Sequence, residues 1–206
     1  AHAIAALLVG WKVDFVVIGA GAVWKRIRLG RALIVLHQRL WRARVGYCGF
    51  SPPASYYSRG AAGFVLGAPL VLHLAGTSAW AWGWPAAWAW AIVAANGLIL
   101  ILNVWPRTLV PPLDATDGKH LLDLWLHPEA ARERWFCARW VNPPHARLLE
   151  GKKDEAFALA ERAVAENPGD ERILVNLAYI ASATGRWEFA RSHAHAVAAF
   201  EEKAIP

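Results

Sequence analysis

The sequence predicts a mainly α membrane protein with two or more transmembrane helices, a small N-terminal β-hairpin element and a C-terminal helical repeat. Hydrophobic residues make up 56% of the 206 residues, and only 18% are charged. This composition is typical of a membrane protein with a polar appendage. Residues 60–105 contain no Asp, Glu, Lys or Arg, whereas the residues after 142 are alanine-rich, charged and periodic.

The formal charge of +6 does not indicate a nucleic-acid partner. The net positive charge is concentrated before the apolar block, which is typical of the cytoplasmic flank of a membrane protein. We therefore expect an integral protein of the cytoplasmic membrane, with the lipid bilayer as a partner and the C-terminal tail on the cytoplasmic side.

The β element is predicted at about residues 12–50. The stretches VDFVVIG and RALIVLHQRL are rich in β-branched residues, and Gly19, Gly21 and Gly30 are turn signals. These features predict two to four strands in hairpins. The element carries a basic set that we interpret as a solvated face near anionic headgroups: Lys25, Arg26, Arg28, Arg31, Arg39, Arg42 and Arg44.

The apolar block predicts two membrane spans, at about residues 59–75 and 80–104. At about 1.5 Å per residue, one helix through the whole block would far exceed the roughly 30 Å hydrocarbon core. We place the joint near Gly76-Thr77-Ser78, with Trp80, Trp82 and Trp84 at the interface. His73 lies in the first span, where packing between helices is favoured over a ligand role.

The stretch NVWPRTLVPPLDATDGKHLL (103–122) ends this block with three prolines and then places Asp114, Asp117 and His120 just beyond it. A carboxylate and an imidazole at the end of a membrane segment are costly unless they pair or bind something. A broken helix is tolerated at membrane depth where it lines a protein cavity. Asp117 is therefore the candidate metal ligand. Asp114 is interpreted as a turn residue, and His120 is either near the metal site or simply in a helix.

The tail (residues 142–206) is predicted to be a separate helical domain. Gly151 and Gly185 are 34 residues apart, as are Ala156 and Ala190, and Pro168 lies between the two units. This pattern resembles the tetratricopeptide repeat, which has paired helices, a glycine turn and small residues where helices approach. The resemblance implies two antiparallel helix pairs that bind a protein partner.

The first 125 residues, within a predicted membrane domain at 1–141, resemble, piece by piece, the site-2 protease family of intramembrane zinc metallopeptidases. Ala1-His2-Ala3 resembles the end of an HExxHA helix, and VDFVVIGAG resembles the strand and turn that follow. Gly67-Ala68-Pro69 resembles the AGP of the next span, with altered order. Asn103-Val104-Trp105-Pro106 matches NxxP, and Asp117-Gly118-Lys119-His120 resembles a DGGH-type ending.

The resemblance implies zinc as the cofactor, with His2 and Asp117 as two of its ligands, and a membrane protein or membrane peptide as the substrate. The other zinc histidine and the general-base glutamate would precede Ala1. The resemblance therefore assigns no catalytic residue to this chain, and we expect the chain as given to be inactive. Zinc with three protein ligands and one open position activates a bound water.

Two other functions fit the same residues. The chain could be a membrane-anchored tetratricopeptide adaptor with a degenerate protease-like domain. It could also be a small transporter or channel subunit that uses His73 and Asp117 as polar intramembrane groups. The second of these requires His73 to lie near Asp117.

Overall fold

The computed structural model describes residues 2–39, 47–54, 57–82, 84–106 and 116–193. Within these ranges the chain is mostly helical and has a small four-stranded sheet. The elements, in chain order, are α1 (His2–Leu8), β1 (Lys12–Ile18), β2 (Ala20–Leu29), β3 (Ala32–Arg39), β4 (Tyr47–Ser51), α2 (Arg59–Trp82), α3 (Ala86–Val104), α4 (Asp117–Leu126), α5 (Pro128–Glu150), α6 (Lys153–Glu166), α7 (Glu171–Ala183) and α8 (Trp187–Ser192).

The chain forms two compact units, and neither unit is continuous in sequence. Unit 1 comprises Ala1–Lys12 and Pro52–Arg134, and unit 2 comprises Val13–Ser51 and Trp135–Pro206. This division differs from the predicted domains 1–141 and 142–206, because the sheet belongs with the C-terminal helices. The predicted boundary also falls inside α5, which continues through Pro143 and Pro144.

Unit 1 is built on a helical hairpin of α2 and α3. The predicted joint at Gly76-Thr77-Ser78 is wrong, because α2 continues to Trp82 and α3 begins after Pro85. A glycine inside a helix costs only about 1 kcal/mol, whereas proline is well suited to the start of a helix, where its missing N–H is not needed. The second predicted span, 80–104, accordingly begins at Ala86.

By length and composition alone, α2 is the one helix, among the residues that the structure describes, that could cross a bilayer. The apolar part of α3, Trp88–Val104, is shorter.

The sheet in unit 2 has the strand order β2-β3-β1-β4. Strands β2 and β3 form an antiparallel hairpin around Gly30, but β1 pairs with β3 in parallel. The hairpin prediction is thus confirmed for β2 and β3, whereas β1 joins the sheet by parallel pairing instead. The reason is burial: β1 and β3 carry the apolar core residues and lie side by side, whereas the charged β2 occupies an edge, where charged side chains are well tolerated.

The buried face of the sheet packs against α5. Phe15, Val17, Leu33 and Val35 form a cluster that contacts Ala146 and Leu149 of the helix. The predicted solvated basic face does not hold for two basic residues of β2, and Arg42 and Arg44 of that set lie outside the described residues. Arg26 donates from Nε to the carbonyl oxygen of Leu149 at 2.6 Å, and Arg28 pairs with Glu150. Sheet and helix are thus joined by apolar and ionic contacts.

The two glycine turns of the tail have the same backbone geometry. Gly151 and Gly185 have φ values of 85° and 87°. The residue after each, Lys152 and Arg186, precedes the next helix with φ of −88° and −87°. In both turns the glycine N–H bonds to the carbonyl three residues earlier. A left-handed conformation strongly favours glycine, so these two positions require it.

His145 of α5 is buried between the sheet and α7. Its ring is 2.7 Å from Asn176 Oδ1, which accepts a hydrogen bond from Nε2, and it stacks on Tyr179 and lies against Phe15. Burial lowers the pKa of the imidazole, and the bond to Asn176 offsets this only in part. His145 is therefore neutral in the folded protein near neutral pH.

We predict that unit 2 loses stability in mild acid. The unfolded chain takes up a proton at His145 near the ordinary value of 6.5, whereas the folded chain takes it up only at lower pH. Stability is thus complete above this value and falls as the pH drops below it, by at most about 1.4 kcal/mol per pH unit. Hydrogen exchange of β1 and α7, corrected for intrinsic rates, should show the loss between pH 7 and 5.

The variant His145→Gln should flatten this dependence, and His127→Gln, at an exposed histidine, should retain it. Equal protection of β1 and α7 at pH 7 and pH 5 in the natural sequence would contradict the assignment.

Candidate metal centre

Asp117 is the first residue of α4, and its neighbour Thr116 holds that helix start in place. The Thr116 side-chain oxygen accepts a hydrogen bond from the N–H of Lys119 and caps the helix. The same hydroxyl donates to the carbonyl oxygen of Trp105, which follows α3, at 2.8 Å. One side chain therefore ties the beginning of α4 to the end of α3.

Gly118 allows the closest approach in this region. A Cβ atom at this position would overlap the backbone carbonyl of Val104, the last residue of α3. Backbone atoms cannot move aside as a side chain can, so residue 118 must be glycine for α4 to begin here. This gives the Asp-Gly pair a physical role: the glycine brings the helix close, and the aspartate beside it is thereby positioned.

The other end of α4 is fixed by charged groups. Arg59, the first residue of α2, donates to the carbonyl oxygen of Leu124 at 2.9 Å. The buried carboxylate of Asp123 accepts hydrogen bonds from Lys119 at 2.6 Å and Arg134 at 2.8 Å. Buried carboxylates require such partners. These contacts fix α4 at both ends, so Asp117 lies on a rigid element.

His2, in α1, is oriented by the backbone of α2. Its Nδ1 atom is 2.9 Å from the carbonyl oxygen of Val65. A carbonyl can only accept a hydrogen bond, so Nδ1 carries a proton and donates it. A histidine that donates from one ring nitrogen to a backbone carbonyl has the arrangement typical of a metal ligand, with the other nitrogen facing the ion.

The other nitrogen, Nε2, lies 3.2 Å from Oδ2 of Asp117. Because Nδ1 is already protonated, a neutral ring would point the Nε2 lone pair at a carboxylate oxygen, which also only accepts. The contact is favourable if Nε2 is protonated as well, or if both atoms share a cation. Two ligand atoms at about 2.0–2.1 Å from a tetrahedral zinc ion lie about 3.3 Å apart, so the observed pair fits a zinc ion.

The two sequence-predicted metal ligands are thus brought together, from opposite ends of unit 1. Their side chains are 27% and 24% exposed, so solvent ions can reach them. Within the described residues, no group of three or more His, Cys, Asp or Glu side chains surrounds a common point. Asp114 lies outside the described residues.

The remaining candidates lie elsewhere. His73 is eight residues beyond Val65 in α2, or about 12 Å along the helix, and does not join the pair. His120 contacts Arg134, whose Nη1 is 3.2 Å from His120 Nδ1. Sequence reasoning missed the carbonyl of Val65 and the hydroxyl of Thr116. The threonine had a signal, because Thr before Asp-Gly at a helix start is a typical N-cap.

We predict that Gly118→Ala separates Asp117 from His2, because the new methyl group forces α4 away from Val104. Zinc affinity should fall by at least about tenfold, as for losses of groups that orient metal ligands. Competition with a chromogenic chelator measures this. Gly97→Ala is the matched control, since a Cβ atom at this position of α3 meets open space. This substitution should leave the stability of the helix unchanged or raise it by up to about 1 kcal/mol. Equal zinc affinities for both variants would contradict the assignment.

No family model, no curated protein and no solved structure matches this chain.

Proposed function

We propose that the full protein performs zinc-dependent intramembrane proteolysis and that His2 and Asp117 are two of the protein ligands of the zinc ion. The observation that supports this most directly is the 3.2 Å approach of His2 Nε2 to Asp117 Oδ2. These two residues are 115 positions apart in the chain, and the sequence predicts both as metal ligands. Chance placement of two such residues at ligand spacing, with the imidazole already oriented by a carbonyl, is improbable.

By the same resemblance, a histidine before Ala1 would be the third protein ligand, and a glutamate next to that histidine would be the general base. A bound zinc ion would lower the pKa of a water molecule, and that glutamate would take the proton. Within this chain, Val65 orients His2, while Thr116 and Gly118 position Asp117. The open side of the pair is accessible to solvent, as hydrolysis of a membrane substrate requires.

The helical hairpin supports placement in a bilayer. Helix α2 has 24 residues and is about 36 Å long, which is sufficient for a core of about 30 Å. Of its most apolar window, only 17% is buried, so its apolar surface is exposed rather than part of a core. The exposed large apolar side chains of α2 before Trp80 are Phe64 and the aliphatic Val71, Leu72 and Leu74. Exposed tryptophans are concentrated near the turn of the hairpin, at Trp80, Trp82, Trp84, Trp88 and Trp90.

This distribution is the one expected for a membrane-spanning hairpin, since indole rings prefer the interface and aliphatic side chains prefer the hydrocarbon. Pro106 follows α3 and Thr116 precedes α4, so the candidate centre would lie beside the ends of these two helices. Irregular backbone at membrane depth is tolerated where protein groups satisfy it, as Thr116 does for Trp105.

A second candidate function is a membrane-anchored adaptor that binds protein partners through a tetratricopeptide-like tail. The repeated turn geometry at Gly151 and Gly185 supports this candidate. So does the packing of α6 on α7, where the small residues Ala156, Ala160 and Ala181 are fully buried. The adaptor and the protease share this tail and differ only in whether the metal centre is complete.

The first prediction concerns the ligands. In the full protein, His2→Gln and Asp117→Asn should each reduce zinc affinity by more than about 100-fold, because losses of mere orienting groups already cost 10–100-fold. Zinc content after dialysis and cleavage of a membrane-spanning peptide should fall together. Asp154→Asn is the control, since this exposed carboxylate pairs with Arg186 and lies in the tail.

Unchanged zinc content in both ligand variants would contradict the metal assignment. Zinc binding without metal-dependent cleavage would support the metal assignment and contradict the assignment of the protein as a protease.

The second prediction separates the two candidate functions. The genomic sequence immediately before Ala1 should encode His-Glu-x, because His2 would be the last histidine of an HExxH helix. Histidines at positions i and i+4 lie on one face of a helix, so both could reach the ion. Any other triplet would favour the adaptor.

A further inference from the structure

Pro69 lies inside α2 and interrupts its hydrogen bonding. In an α-helix the carbonyl of residue i accepts from the N–H of residue i+4. The residue four positions after Val65 is Pro69, which has no N–H. The carbonyl of Val65 therefore has no donor within its own helix.

This carbonyl cannot rely on bulk water instead. Val65 is completely buried, with 0% of its surface exposed. A buried backbone carbonyl without a hydrogen bond costs about 1–3 kcal/mol, and nearly all such groups in folded proteins are paired. The donor that satisfies it here is Nδ1 of His2, at 2.9 Å.

We propose that Pro69 is a positioning residue for the candidate metal centre: it leaves the Val65 carbonyl free for His2 and so fixes the imidazole with Nε2 toward Asp117. Pro69 acts on His2 through the hydrogen bond that the Val65 carbonyl accepts, rather than through direct contact with the imidazole. With an N–H at position 69, the helix would supply a competing donor to the same oxygen. The orientation of His2 would then be held less firmly, and its proton could move to Nε2.

The interpretation of the Zn²⁺ measurement rests on the proposed function. The orientation of His2 by Pro69 can be tested independently of that function. Two readouts therefore separate the two ideas. One is the protonation pattern of the His2 ring, measured by ¹⁵N NMR in the full protein labelled at histidine. The other is the affinity for Zn²⁺ alone, measured by chelator competition.

The main variant is Pro69→Ala, which restores the N–H and favours the helix, so it is expected to fold. It should shift the His2 ring away from protonation at Nδ1 and weaken Zn²⁺ binding by about 10–100-fold, as loss of a group that orients a ligand does. Pro143→Ala is the matched control, because Pro143 is also inside a helix but belongs to unit 2. It should leave both readouts unchanged.

A second variant separates the missing N–H from the proline ring. Replacing residue 69 by the α-hydroxy acid analogue of alanine gives an ester in place of the amide, so it has neither a ring nor an N–H. It should behave like the natural sequence. If it behaves like Pro69→Ala, the ring rather than the free carbonyl matters, and the inference is overturned. The inference would also be overturned if Pro69→Ala left the protonation of the His2 ring and the Zn²⁺ affinity the same as in the natural sequence.

Failure of the proposed function gives a different result. The natural sequence, with its upstream residues, would then bind no Zn²⁺, and the NMR comparison would still decide whether Pro69 positions His2.

Discussion

The candidate centre depends on one buried carbonyl that its own helix cannot satisfy. Val65 is enclosed, the position that should donate to it is a proline, and the imidazole of His2 supplies the missing hydrogen bond at 2.9 Å. That bond determines which ring nitrogen carries the proton, and therefore what faces Asp117. The hydrogen bond that Pro69 removes from α2 thus leaves an acceptor that orients His2 of α1.

A second backbone constraint positions Asp117, the partner of His2. The end of α3 and the start of α4 approach so closely that residue 118 has no room for a side chain, and the hydroxyl of Thr116 bonds across the gap to Trp105. Charged groups then hold the far end of α4, through Arg59 and the buried Asp123. The first constraint acts on the imidazole of His2 through its hydrogen bond to Val65, and the second acts on the backbone beside Asp117.

The sequence predicted the coarse fold and the candidate pair, but not what orients them. The mostly helical chain, the N-terminal strands and the apolar hairpin followed from composition and periodicity. The turn of the hairpin was misplaced because Gly76, Thr77 and Ser78 are weak helix breakers in an apolar context, and Pro85 is the stronger signal. The parallel pairing of β1 with β3 could not be inferred, because hairpin signals describe neighbours in sequence. The role of Val65 could not be inferred because a carbonyl has no side-chain signature.

The order in which unit 2 becomes complete during synthesis follows from its discontinuity. The buried face of the sheet is covered by Ala146 and Leu149, more than 100 residues after Val35. At about 5–20 residues per second, a ribosome needs roughly 5–20 s to make that stretch. Throughout this interval the apolar strands have been translated but their covering helix has not. A nascent chain of this protein therefore carries apolar strands without their covering helix while its helical hairpin is being made, and such surfaces are prone to aggregation.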